Sequence, residues 1–184
     1  MTLPTPYAFL NPKTELTACW IAFAVMILLM KLLNLPSPLF SNSTINTAIQ
    51  ELVTALTAQG GVASGLWPKA EKILAAKRWL QLDCLFALFY TAFFSLACAH
   101  LSRQAPGSLA LAGVVLSWVS FAGALIDIGE NVALWSLLDG AHGRTLFSLL
   151  HLLKKAKWVI PSAASAYILI CLGYQLKSVT ISKH

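Results

Sequence analysis

Four stretches of the chain are apolar, almost free of charge and long enough to cross a lipid bilayer. They cover about residues 16–35, 80–102, 108–138 and 158–176. A helix needs about 20 consecutive apolar residues to span the hydrocarbon core, because each residue advances it by about 1.5 Å. Only 11 % of the residues are charged, against about 25 % in soluble domains. The sequence therefore predicts a single integral membrane domain over residues 1–184, an all-α bundle of four transmembrane helices.

Two segments between these spans have shorter helical patterns. Apolar residues recur on one helical face over residues 45–56, and a glycine pair at 60–61 ends the pattern. This pattern predicts an amphipathic helix between helices one and two, which either packs on the bundle or lies on the membrane surface. Residues 146–153 are apolar and are followed by lysines. They predict a short interfacial helix before helix four, in which Pro161 introduces a kink.

Lysine and arginine residues are distributed unequally between the two ends of the predicted bundle. Nine of the thirteen belong to the end where helix two begins and helix three finishes, and four belong to the other end. The positive-inside rule makes the nine-residue end cytoplasmic and places both termini on the non-cytoplasmic side. The basic residues flank apolar segments and form no stripe interleaved with aromatics, so we expect no binding of nucleic acid.

A cluster of polar and ionisable residues is predicted at one depth, near the cytoplasmic ends of helices two, three and four. Ionised groups within spans are costly in lipid and usually face protein or water. The candidate residues are Asp83, Tyr90, Asp127, Glu130, Asn131, Lys157 and, one turn below, Arg78. On helix three, small residues at alternating spacings of four and three lead to this cluster and indicate close helix contact. The pattern predicts a carboxylate-rich pocket between helices two to four, with helix one outside it.

Three interpretations of this pocket remain open. Three carboxylates against one or two bases favour binding of a lipid headgroup, a small amphiphile or a cation. Alternatively, paired carboxylates act as general acid and base in an enzyme on a lipid headgroup, or Asp83, Asp127 and Glu130 hold a divalent cation. In the third interpretation the charges are a latch that packs the helices of a structural subunit in a larger membrane complex.

The cysteines and histidines of the chain show no catalytic or metal-binding pattern. The four cysteines lie in or beside apolar segments without C-x-x-C spacing, which predicts buried small apolar side chains. His142 and His151 have no diagnostic spacing, and His100 lies at the end away from the acids. No cofactor is evident, apart from the divalent cation just considered. We expect membrane lipids as partners, together with a second copy of the chain or a larger membrane complex.

One segment of the chain resembles a known group of proteins. Residues 76–86, AKRWLQLDCLF, followed by Tyr90, are similar to a segment of uncharacterised bacterial four-helix integral membrane proteins. Those proteins similarly carry a D-x-x-E-N element on a later helix, here residues 127–131, and a lysine that opens the last helix, here Lys157. The resemblance covers about residues 69–173. It implies a location in a bacterial inner membrane and supports the candidate site, but it implies no known activity.

Overall fold

The computed structural model describes residues 4–33, 70–139 and 144–181 of the chain. These residues form four α-helices, which are α1 (Pro12–Leu33), α2 (Ala70–Ser102), α3 (Gly107–Leu138) and α4 (Arg144–Ile181). Each of the four contains a segment long and apolar enough to cross a membrane. Within the described residues, the prediction of an all-α protein with four such helices is therefore confirmed. The amphipathic helix predicted over residues 45–56 lies outside the described residues.

The surface of the bundle is largely apolar, and several polar side chains lie in its interior. Large apolar side chains point outward, and Leu125 and Leu176 are each 72 % exposed. Polar side chains such as those of Ser117, Ser120 and Asp127 are buried between the helices. This arrangement is typical of a helical bundle that has lipid around it, because lipid tails solvate leucine and leave polar groups to pair with one another.

The helix α2 lies at the centre of the bundle and packs against each of the other three helices, while α3 also packs against α4. Cys19 of α1 packs on Leu96 and Ala97 of α2. The helix α1 stays outside the predicted pocket, as expected, but it is not peripheral to the bundle. It packs along α2, a relationship that the sequence did not indicate.

The boundaries of two helices differ from those expected. The helix α1 begins at Pro12, four residues before the predicted start, because Oδ1 of Asn11 caps it by accepting the amide of Thr14 at 2.8 Å. The interfacial helix predicted before helix four is not a separate element. Residues 144–181 form one continuous helix with Pro161 inside it, because the segment before the last span contains no residue that ends a helix.

The stripe of small residues predicted on helix three is buried along its whole length. Its small residues are Gly113, Ser117, Ser120 and Ala124, and it continues into Asp127 and Asn131 of the candidate site. A Cβ atom at Gly113 would lie 2.6 Å from Cζ of Tyr167 and 2.7 Å from Cβ of Ser102. Midway along the stripe, Oγ of Ser117 donates to the carbonyl of Ser95 at 2.8 Å, and Oγ of Ser95 donates to the carbonyl of Ser117 at 2.6 Å. Small size and paired hydroxyls thus allow α2 and α3 to approach closely.

Three helices place the candidate site at one level. We call the end of the bundle that contains the turn between α2 and α3 the turn end. Counting about 20 residues from the turn end, which is the length that crosses a hydrocarbon core, reaches Asp83 on α2 and Asp127 on α3. The apolar segment of α4 begins at Lys157 and extends to Leu176. Beyond this level the helices continue and form a separate apolar cluster that includes Ala76, Leu80, Ala133, Leu137 and Leu150.

Candidate functional site

Lys157 on α4 binds two carboxylates of α3. Its Nζ atom lies 3.0 Å from Oδ1 of Asp127 and 2.9 Å from Oε2 of Glu130. The two acids are three residues apart, so they project from the same side of α3. Both are buried, whereas the side chain of Lys157 is 22 % exposed. These ion pairs join α3 to α4 and leave the lysine as the member of the group with access to the surroundings.

Two residues of α2, Asp83 and Tyr90, and Asn131 of α3 complete the group. The phenol of Tyr90 donates a hydrogen bond to Oδ2 of Asp127, so this carboxylate is bound from both α2 and α4. Nδ2 of Asn131 lies 3.0 Å from Oδ2 of Asp83, to which it donates, and 3.4 Å from Sγ of Cys84. Seven residues separate Asp83 from Tyr90, which is close to two helical turns, so both face α3. We call the six residues Asp83, Tyr90, Asp127, Glu130, Asn131 and Lys157 the polar layer.

The structure brings together six of the seven candidate residues and leaves the seventh apart. Arg78 is exposed, and within residues 4–33, 70–139 and 144–181 no ion pair or hydrogen bond connects it to the polar layer. The neighbouring Lys77 points inward instead. It forms an ion pair with Asp139, and its Nζ atom lies 5.2 Å from the centroid of the Trp135 ring. The sequence placed both basic residues at the correct level but did not distinguish which of them faces the bundle.

The polar layer contains three acids, Asp83, Asp127 and Glu130, and one base, Lys157. If all four ionise, two negative charges remain unbalanced. Buried carboxylates without a counter-charge are costly, so this surplus favours a proton or another cation in the layer. In the described part of the chain no three acidic, histidine or cysteine side chains converge to hold a metal ion. The divalent-cation alternative stays a prediction.

A groove of about 260 Å³ lies beside the polar layer, between α2 and α3. It is lined by Leu80, Gln81, Cys84, Asn131, Val132, Trp135 and Ser136. Asn131 also belongs to the polar layer, so its amide connects the groove with the carboxylate of Asp83. No local sequence pattern predicts the groove, because a groove depends on the spacing of two helices.

A second ionic cluster lies at the turn end, and sequence reasoning missed it. Glu15 of α1 is fully buried, and its Oε2 atom lies 3.1 Å from Nε of Arg103 and 3.6 Å from Nδ1 of His100 on α2. The same comparison of depths that found the polar layer also places Glu15 and Arg103 at one end of the bundle. The prediction that helix one lies outside the pocket includes no partner for Glu15.

The segment before α1 packs over this second cluster. Nη2 of Arg103 donates to the carbonyl of Tyr7 at 3.5 Å, and Nε1 of Trp118 donates to the carbonyl of Pro4 at 2.9 Å. The ring of Tyr7 also meets Phe121 edge to face, with centroids 6.4 Å apart. Burial raises the pKa of the Tyr7 phenol above its usual value. The segment thus connects α1 with α3 at the turn end.

Comparison of the chain with protein-family models, with curated proteins and with solved structures found no match. The resemblance to bacterial four-helix membrane proteins therefore stays a prediction, and the functional argument depends on the geometry of the polar layer and its surroundings.

Proposed function

We propose that this integral membrane protein binds the ammonium-bearing headgroup of a lipid or other amphiphile at the polar layer. The observation that carries the proposal is the imbalance of three carboxylates against one lysine among α2, α3 and α4. A cationic headgroup would supply the missing positive charge. An anionic headgroup would add to the surplus and would be excluded from the site.

The level of the polar layer supports an amphiphile as the ligand. The layer lies about one hydrocarbon thickness from the turn end, as the 20-residue segment between Lys157 and Leu176 indicates. This distance corresponds to the boundary where lipid headgroups meet the acyl chains. The positive-inside rule assigns that boundary to the cytoplasmic leaflet. An amphiphile whose headgroup binds at this level would keep its apolar chain in the hydrocarbon core, so that the chain would not be exposed to water.

Asp83 is the acid best placed to meet a ligand. Asp127 is bound by Lys157 and Tyr90, and Lys157 also forms an ion pair with Glu130. Asp83 is only partly buried, and Asn131 donates a hydrogen bond to one of its two carboxylate oxygens, Oδ2. Among the residues that the structure describes, no hydrogen bond or ion pair involves the other oxygen of Asp83. In this proposal Asp83 is the counter-charge, while the other acids and Lys157 hold the three helices in position.

The proposal is tested by comparing two amphiphiles with the same chain and opposite charge. The protein is reconstituted in nanodiscs of an uncharged galactolipid, and binding of radiolabelled dodecyltrimethylammonium and dodecyl sulfate is measured against empty discs. We expect saturable binding of the cation alone. Asp83→Asn, which keeps the shape and removes the charge, should weaken it about tenfold, equivalent to about 1.4 kcal/mol.

Glu15→Gln is the matched control, because it removes a carboxylate at the opposite end of the bundle. Binding in this variant should equal that of the wild type in discs that contain folded protein. Equal binding of the cation and the sulfate by the wild type, or unchanged cation binding in Asp83→Asn, would reject the proposal.

A different observation supports a second function. Each contact in the polar layer joins two helices, since Lys157 connects α4 with α3 and both Tyr90 and Asn131 connect α3 with α2. In this alternative the layer is a packing latch, and the protein is a structural subunit of a homo-oligomer or a larger membrane complex. The variant Asp83→Asn would then lose thermal stability without any change in amphiphile binding. An enzyme on a lipid headgroup remains a further alternative.

A further inference from the structure

The groove beside the polar layer offers a different chemistry from the layer itself. Leu80, Val132 and the ring of Trp135 give it apolar and aromatic walls. Two of its polar side chains already donate within the protein: Oγ of Ser136 donates to the carbonyl of Val132 at 2.9 Å, and the amide nitrogen of Asn131 donates to Asp83 and Cys84. The groove therefore presents mainly apolar and aromatic surface to a ligand.

The ring of Trp135 lies where a cation can meet an aromatic face. Nζ of Lys77 already lies 5.2 Å from the ring centroid, and Asp139 neutralises the charge of this lysine. Within the described residues, the ring thus has no unbalanced positive charge beside it, and it also lines the groove. Aromatic faces attract cations, and quaternary ammonium groups are the ligands that proteins most often bind in this way.

We infer that the groove between α2 and α3 receives the ammonium group and selects a methylated, quaternary headgroup over a primary one. This inference rests on the proposed function. Methyl groups would pack on Leu80, Val132 and Trp135, whereas a primary ammonium would bring three N–H donors to walls that are mainly apolar. Asp83 lies behind the amide of Asn131 and supplies the counter-charge for either headgroup.

The first experiment compares two cations with the same chain, dodecyltrimethylammonium and dodecylammonium, in the galactolipid nanodiscs. We expect the wild type to bind the trimethylated headgroup about five- to tenfold more tightly, within the range of a desolvated cation–aromatic contact. Trp135→Leu should remove this preference, and Trp135→Phe should retain part of it. Equal affinities in the wild type, or a preference that Trp135→Leu leaves intact, would overturn the inference.

The second experiment fills the groove. Ser136→Phe places a ring in it, while Ser162→Phe is the matched control, because both serines donate to the carbonyl four residues earlier on their own helix. Ser162 is exposed on α4 and does not line the groove. We expect Ser136→Phe to abolish saturable binding of dodecyltrimethylammonium and Ser162→Phe to preserve it.

Failure of this inference is distinguishable from failure of the proposed function. If Ser136→Phe binds the trimethylated cation as the wild type does, the groove is not the subsite and the inference is wrong. The proposed function survives that result provided Asp83→Asn still weakens binding of both cations. If the wild type does not distinguish cationic from anionic chains, the proposed function fails first, and the inference fails with it.

Discussion

Oε2 of Glu15 lies 3.1 Å from Nε of Arg103, which joins the first turn of α1 to the end of α2. Glu15 is fully buried, whereas the side chain of Arg103 is 34 % exposed. The two residues therefore differ in their access to water when the ion pair is broken. An unpaired Arg103 can turn toward water, but an unpaired Glu15 stays inside the bundle with His100 as its remaining partner.

This asymmetry predicts which substitution at the turn end is more damaging. Arg103→Gln should destabilise the protein by about 2–3 kcal/mol, because it strands a buried carboxylate. Glu15→Gln should cost about 1 kcal/mol, because it removes the charge that burial penalises. Equilibrium unfolding in mixed micelles measures both. A greater loss for Glu15→Gln than for Arg103→Gln would contradict this account of the cluster.

A similar argument applies to Lys157 in the polar layer. Lys157→Met should cost about 3 kcal/mol or more, since it leaves Asp127 and Glu130 buried without their cation. Adding Asp127→Asn to this variant should recover part of the loss, because one of the two stranded charges is then absent. A double-mutant cycle of unfolding free energies provides the measurement, and strictly additive effects would show that the two residues do not interact.

Among the glycines that the structure describes, Gly113 has the least room for a side chain. Gly113→Ala would place a methyl group 2.7 Å from Cβ of Ser102 and against the ring of Tyr167, at a cost of about 1–3 kcal/mol. Gly173→Ala is the control, because nothing lies within 4 Å of its added Cβ and alanine favours helix by up to about 1 kcal/mol. We expect opposite shifts in unfolding temperature, and a neutral Gly113→Ala would exclude the tight contact.

The two ends of the described chain are expected on the same face of the membrane. Glu15 near the start of α1 meets Arg103, and Nε2 of Gln175 near the end of α4 donates to Oε1 of Gln104 at 2.6 Å. Both contacts lie at the turn end, which the positive-inside rule assigns to the non-cytoplasmic side. A protease added outside sealed spheroplasts should remove a C-terminal tag. Removal only after lysis would reverse the orientation.

The level of each polar residue could be predicted from the sequence, because the position along a helix depends only on counting residues from its ends. Counting assigns Asp83, Asp127 and Lys157 to one level, where Asp127 binds Lys157 and Asp83 binds Asn131. The buried stripe on α3 was predictable for a related reason. Helical periodicity places residues three and four apart on one face regardless of what that face contacts.

The rotation of each helix about its axis, and which helices pack together, could be determined only from the tertiary structure. Arg78 and Lys77 occupy the same level, but only the packing of α2 against α3 directs Lys77 to Asp139 and leaves Arg78 outside. The burial of Glu15 depends in the same way on α1 lying along α2. Composition and periodicity by themselves determined four apolar helices and a polar level in three of them, since those are local properties of a chain in lipid. Which side chains meet, and where a groove remains between helices, are decided by long-range packing, which no local pattern encodes.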